Sequence, residues 1–335
     1  MRRSVTVNLK RNCWMMLRND LSMKLSMLSL CCLLGTTYVH AQTPAAGQMP
    51  GMQLVGETVV DHPSEWYQFE RHQIDSADGK RHYRIEISIP RAAAPAAGYP
   101  VLYMLDGNAA MATLKDADLA ALARSGHPPV LVAIGYDVPT RNDVVSRAFD
   151  YTPPTYENGQ RVHQEDDRGR AGGGADIFLE YIKSSIKPLV QSRVKVDPQK
   201  EYLWGHSYGG LFTLHTLYTQ PNAFARYIVG DPSAWWNDGV LVQEWHAFDA
   251  NKAAGKRIAI LVGTKPRDPN RPMPNLPRAK PGRAPIENPR AVIGDMADGL
   301  RKAGGDVSYE TFPQYGHGDM IRVSLERALE VAVQP

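Results

Sequence analysis

Five uninterrupted apolar runs constrain this chain more than any other feature: Val101-Leu102-Tyr103-Met104-Leu105, Val130-Leu131-Val132-Ala133-Ile134, Tyr202-Leu203-Trp204, Tyr227-Ile228-Val229 and Ile258-Ala259-Ile260-Leu261-Val262. A strand that is apolar at every residue has to be covered on both faces, which is the situation of a parallel sheet between helices. Amphipathic stretches separate the runs. Ile177, Phe178, Tyr181, Ile182, Ile186 and Leu189 recur at helical spacing, and a second helix is expected over Tyr208 to Tyr218. Two earlier segments, Glu65 to Glu70 and Tyr83 to Ile89, alternate polar and apolar residues on either side of Asp78-Gly79, so they predict an antiparallel hairpin with one exposed face. The result is an α/β architecture: a mostly parallel central sheet, an N-terminal antiparallel hairpin and helices on both faces. A single domain over residues 57–335 accommodates it, with no internal repeat.

The N-terminal 41 residues have a different character. Lys24 precedes the apolar run Leu25 to Leu34, and Val39-His40-Ala41 offers small residues at the −3 and −1 positions of a cleavage site, so residues 1–41 read as an export signal. The run is well short of the ~20 residues of a spanning helix, and no stable membrane anchor is expected. A periplasmic or secreted protein follows, beginning near Gln42 whether the start is Met1 or Met23. Cys13, Cys31 and Cys32 all lie in the signal, which excludes disulfides and cysteine catalysis from the mature chain. Residues 42–56, rich in Ala, Gln, Gly and Pro, read as a flexible leader. Formal charge is +3 overall, but the signal alone carries six basic side chains against Asp20, so the remainder is slightly acidic. Such a body lacks the basic surface that nucleic acid requires. No cluster has metal-ligand spacing, and no cofactor is expected.

The chemistry is concentrated at Gly205-His206-Ser207-Tyr208-Gly209, which follows the run Tyr202 to Trp204 and leads directly into a helical stretch. A serine on so sharp a strand-to-helix turn adopts strained backbone angles, and glycines two residues away let neighbouring backbone pass without a Cβ clash. A serine hydroxyl is a weak nucleophile at neutral pH and needs a histidine to take its proton. On folds with such an elbow that histidine comes last in chain order, which leaves His215, His246 and His317. His215 falls inside the helix after the elbow and His246 in a segment without loop signals. His317 sits between Gly316 and Gly318, after the alternating strand Val307 to Phe312, where a catalytic loop belongs. The developing oxyanion needs two backbone N–H donors: one from Tyr208, the other from Asn108 or Gly107 in Leu105-Asp106-Gly107-Asn108, a sequence that serves equally well as a plain β-turn.

Together with Arg147-Ala148-Phe149-Asp150-Tyr151-Thr152-Pro153, Gly173-Gly174-Ala175-Asp176-Ile177-Phe178-Leu179 and Asp231-Pro232-Ser233-Ala234-Trp235-Trp236, these motifs resemble the α/β-hydrolase esterases that include the trilactone siderophore esterases acting on enterobactin-type compounds. Esterase D is a broader relative. The resemblance runs from about Tyr99 to the C-terminus. It implies an α/β-hydrolase fold, catalysis by Ser207 and His317, an anionic catecholate siderophore as the small-molecule substrate, Arg147 as the cation that meets it, and Trp235 and Trp236 as pocket wall. Arg147 as an ion-pair partner and the tryptophans as core volume are the competing readings. The triad acid departs from the family pattern, because no carboxylate follows Gly263 until Asp268. Asp268 is the expected acid, with Asp231 and Glu287 as rivals and a Ser/His dyad as a further alternative. Residues 265–290 hold eight prolines and seven basic side chains against Asp268 and Glu287. They are either a positive rim that concentrates anionic substrate or a solvated loop. A general or feruloyl-type carboxylesterase, or an acyltransferase, would share every catalytic residue; a non-catalytic binding protein on the same fold is the remaining alternative.

Overall fold

The apolar runs become the middle of one eight-stranded sheet in a computed structural model that describes residues 50–166, 168–266 and 289–334. The order is β1-β2-β4-β3-β7-β8-β9-β10. The alternating segments form the hairpin β1 (Tyr67–Asp75) and β2 (His82–Pro90), and β2 pairs antiparallel with β4 (Val130–Tyr136). From there β3 (Tyr99–Leu105), β7 (Val196–His206), β8 (Arg226–Gly230), β9 (Arg257–Gly263) and β10 (Asp306–Phe312) continue the sheet in parallel. Burial follows the sequence pattern. Every residue of β3, β4 and β8 is buried, whereas β1 and β10 at the two edges alternate. Edge strand β1 carries charged pairs, Arg71 with Glu86 and Glu70 with Arg193, which discourage another strand from adding there.

Helices cover both faces. α4 (Ala175–Tyr181), α5 (Lys187–Arg193), α6 (Tyr208–Thr219), α7 (Trp236–Ala247) and α8 (Pro289–Lys302) share one core layer with the side chains of that sheet face. The opposite layer is built on α1 (Gly107–Met111), α2 (Asp116–Arg124) and α9 (Met320–Ala332). The helix expected over 177–190 widens into a π turn at Ile182–Ile186, where the Lys187 N–H reaches back to the Ile182 carbonyl. Pro188, which has no N–H to give, follows immediately, so the ladder is re-registered before it. Two small pieces lie between β4 and α4 in the chain: α3 (Ser146–Asp150) and the hairpin β5 (Thr155–Glu157) with β6 (Gln160–Val162).

Part of the expected leader is tied down: the N–H groups of Val55, Arg141 and Asn142 donate to Pro139, Gln53 and Gly51 respectively. The expected export signal, the three cysteines, residues 42–49 and the insertion from 267 to 288 lie outside the described residues. Among those described, no helix is long and apolar enough to cross a membrane.

Candidate active site

The carboxyl ends of β3, β7 and β8 are neighbours in the sheet, and each is followed by a non-glycine residue with a left-handed backbone: Asp106 (φ 51°), Ser207 (φ 61°) and Asp231 (φ 39°). Such conformations persist only where surrounding structure enforces them. At Ser207 the enforcement is visible. Its N–H donates to the Gly230 carbonyl on β8 and its carbonyl accepts from Leu211 at the start of α6. A Cβ on Gly205 would stand 2.3 Å from the Gly209 carbonyl oxygen, so the turn closes only with hydrogen at that position. The Ser207 hydroxyl is thereby lifted off the sheet.

His317 comes to it from the loop between β10 and α9. His317 Nε2 is 3.0 Å from Ser207 Oγ, and His317 Nδ1 is 2.7 Å from Asp231 Oδ2. A carboxylate can only accept, so Nδ1 carries the proton and Nε2 presents a lone pair to the serine hydroxyl. The imidazole is about half exposed while the Asp231 side chain is 7% exposed, so the ring is open to solvent and the carboxylate is shielded from it. His206 steadies the loop by donating Nε2–H to the His317 carbonyl at 2.8 Å. Burial, together with the neighbouring His317 imidazole, holds His206 well below the ordinary histidine range, so it remains a neutral donor.

The acid is where the sequence reading and the structure part. Asp268 lies outside the described residues, as does Glu287, and the carboxylate brought to His317 among those described is Asp231, one strand earlier than the expected position. Asp231 was legible as a carboxylate at a strand end; its reach to His317 depended on how the last loop folds back over β8. Sequence reading missed Ser233 as a partner of Ser207. Its hydroxyl is buried 3.3 Å from Ser207 Oγ, and its N–H donates to the Ser207 carbonyl. The only signal was its place in the Asp231 to Trp236 landmark.

The other expected residues divide. Tyr208 opens α6, so its amide sits beside the nucleophile. Asn108 is the second residue of α1, directly after β3, and its side chain is committed to the fold: Nδ2 donates to the carbonyls of Tyr136, Val138 and Thr140, and Oδ1 accepts the Tyr136 N–H. That fastens the β3 turn to the end of β4 and leaves only the Asn108 backbone for an oxyanion. Trp235 is half-buried with its ring centroid 6.2 Å from that of Tyr208, while Trp236 is 4% exposed in the core. Trp236 is therefore core volume, and Trp235 packs partly buried against that core. Arg147, expected to present a cation to substrate, is 8% exposed and grips Asp106 with both arms, Nε to Oδ1 at 2.8 Å and Nη2 to Oδ2 at 2.7 Å.

Comparison with known proteins agrees with this geometry. The Esterase family profile matches residues 76–285. The apo-salmochelin esterase of Escherichia coli O6:H1 is 34% identical over 280 residues, covering 84% of each chain. The ferri-bacillibactin esterase BesA of Bacillus subtilis is 30% identical over 271 residues, 79% of this chain and 90% of that one. Among solved structures, the enterobactin hydrolase IroE in complex with DFP superposes with a TM-score of 0.68 at 32% identity, covering 83% of this chain and 99% of the other. On this profile and these relatives, and with a serine elbow met by a histidine as the site, the chain belongs to the Esterase family, as a serine hydrolase on an α/β-hydrolase fold.

Proposed function

We propose that this protein hydrolyses the ester backbone of catecholate siderophores through an acyl-enzyme on Ser207. The observation that carries the proposal is the unbroken hydrogen-bonded line Asp231–His317–Ser207 on a strained elbow, in a chain whose relatives are named for salmochelin and bacillibactin esters. Ser207 Oγ attacks the ester carbonyl as His317 Nε2 takes its proton. Asp231 holds the imidazole in the required tautomer and stabilises the imidazolium. The backbone N–H of Tyr208 and that of Asn108 or Gly107 receive the oxyanion. Collapse expels the alcohol of the next residue in the lactone, protonated by His317, and water then releases the acyl group by the same steps in reverse order of roles. One named relative is an apo-siderophore and the other a ferri-siderophore esterase, so both substrate forms belong in the test. Export through residues 1–41, to the periplasm or beyond, is part of the proposal, and the N-terminal residue of the mature protein checks it.

The direct experiment is product analysis after incubation with enterobactin, with and without iron. Linear trimer, dimer and monomer are expected from wild type and none from a folded Ser207→Ala protein, in which the acyl-enzyme cannot form. Turnover by Ser207→Ala near the wild-type rate would sink the mechanism. Hydrolysis of p-nitrophenyl butyrate without any cleavage of the lactone would sink the substrate.

A further inference from the structure

Arg147 touches both the turn after β3 and the start of α6 beside the nucleophile. Its fork holds the Asp106 carboxylate at the end of β3, and its guanidinium carbon lies 5.0 Å from the ring centroid of Tyr208, the first residue after Ser207. Asp106 is the residue immediately before Gly107 and Asn108. Its left-handed backbone sets the direction in which their amides point, and that conformation disfavours any side chain with a Cβ. Four bonds hold it: two from Arg147, one in which the Asp106 N–H donates to the buried Tyr151 hydroxyl at 2.9 Å, and one in which the Asp106 carbonyl accepts the Ala110 N–H at 3.0 Å. Room for error is small on the other side as well, since a Cβ on Gly107 would stand 2.6 Å from the Gly135 nitrogen on β4.

The arm that carries Arg147 is itself fixed. Arg147 lies on α3, and Asp150 at the end of α3 accepts from the hydroxyls of Tyr83 on β2 and Tyr136 on β4 at 2.9 and 3.0 Å, with Arg81 Nε 3.0 Å from its other oxygen. A buried line of polar groups therefore runs from the antiparallel edge of the sheet through α3 to the turn after β3. Drawing Arg147 out to meet a substrate anion would leave the Asp106 carboxylate, itself 7% exposed, buried without a partner, which is strongly unfavourable.

We propose that Arg147 is a positioning residue for the oxyanion donors, locking the Asp106 turn and packing on Tyr208 so that the amides at the starts of α1 and α6 keep a fixed separation. This rests on the reading of Ser207 as nucleophile given above. Its signature separates it from a substrate-meeting cation, because the oxyanion develops identically on every ester.

The test uses Arg147→Lys, which keeps the charge and loses the fork, together with Tyr151→Phe, which leaves the ion pair and removes the acceptor of the Asp106 N–H. Each is assayed on neutral p-nitrophenyl butyrate and on iron-free enterobactin, with phenylboronic acid as a tetrahedral analogue and circular dichroism as the check on folding. Arg147→Lys is expected to lower kcat by about 10–100-fold by the same factor on both esters, somewhat less than the loss of a whole oxyanion donor. KM should stay within about twofold, the boronate inhibition constant should rise by the factor lost in kcat, and the midpoint of the pH–rate profile should not move. Tyr151→Phe should do the same on a smaller scale, and decides the matter if Arg147→Lys does not fold. A rise in KM for enterobactin alone would overturn the proposal in favour of a substrate cation, and unchanged constants in a folded variant would overturn it outright. If the boronate fails to compete with substrate on wild type, or Ser207→Ala remains active, the reading of the site has failed and the role of Arg147 falls with it.

Discussion

The two ends of the same strands use the same material for different purposes. At the carboxyl end of β3, Arg147 and Asp106 form a buried ion pair beneath aromatic rings. Toward the amino ends, Lys187 and Glu201 form another. Its Nζ–Oε2 distance is 2.8 Å, the ammonium lies 4.3 Å from the Phe224 ring centroid, and the Tyr103 hydroxyl donates to Glu201. Burial lowers the Lys187 ammonium despite its carboxylate partner, whereas the two bonds and the charge of Asp106 hold the Arg147 guanidinium above its ordinary range against the same burial. The difference lies in the backbone. Three left-handed non-glycine residues, Asp106, Ser207 and Asp231, cluster at the carboxyl ends, each at a cost of ~1–3 kcal/mol, and at the other end neither Lys187 nor Glu201 has a positive φ. One pair keeps a geometry and the other keeps the molecule folded.

That contrast breaks most sharply at Asp231. Asp231→Asn keeps the shape but offers an amide where His317 Nδ1–H needs an acceptor, and kcat should fall by about 10⁴ with the unfolding midpoint little changed, by analogy with the same substitution in serine proteases. Asp268→Asn should alter kcat by less than about threefold. Steady-state kinetics on p-nitrophenyl butyrate decides between them, and the reverse ranking would return the triad acid to the position expected from the strand order.

At the opposite end the ranking should invert. Lys187→Met strands the Glu201 carboxylate in the core, at about 3–5 kcal/mol of folding stability, while kcat/KM stays within about twofold at temperatures where the protein remains folded. Adding Glu201→Gln removes the stranded charge and keeps an acceptor for Tyr103, so denaturant unfolding of the double variant should recover most of the loss. A comparable fall in kcat/KM would show that the two ends are not separable.

The smallest effect belongs to His215, buried on α6 between Asp176 of α4 and Glu244 of α7. Burial opposes its charge, but the two carboxylates prevail and raise it to about 9. A histidine raised in the folded state stabilises most below its unfolded value of ~6.5, and that contribution is lost as pH rises through about 9. The full effect is at most roughly 3.5 kcal/mol at ~1.4 kcal/mol per unit. Thermal unfolding midpoints should therefore decline between pH 7 and 9.5 in wild type and decline less in His215→Gln. Parallel curves would refute the coupling.

Much of this was legible in the chain because it rests on local chemistry. Continuous apolar runs announced the buried parallel strands, alternation announced the hairpin, and Gly205 to Gly209 announced the strained elbow, since only that spacing clears the backbone contact seen between Gly205 and Gly209. His317 followed from chain order and its flanking glycines. The structure alone decided which carboxylate faces it and what Arg147 holds. Asp231 and His317 are 86 residues apart and Arg147 and Asp106 are 41, and in each case the partner is chosen by which strands become neighbours and how far a loop folds back. Pairing of that kind leaves no periodic trace, because a buried arginine and an exposed one are the same letter until the carboxylate beside it is known.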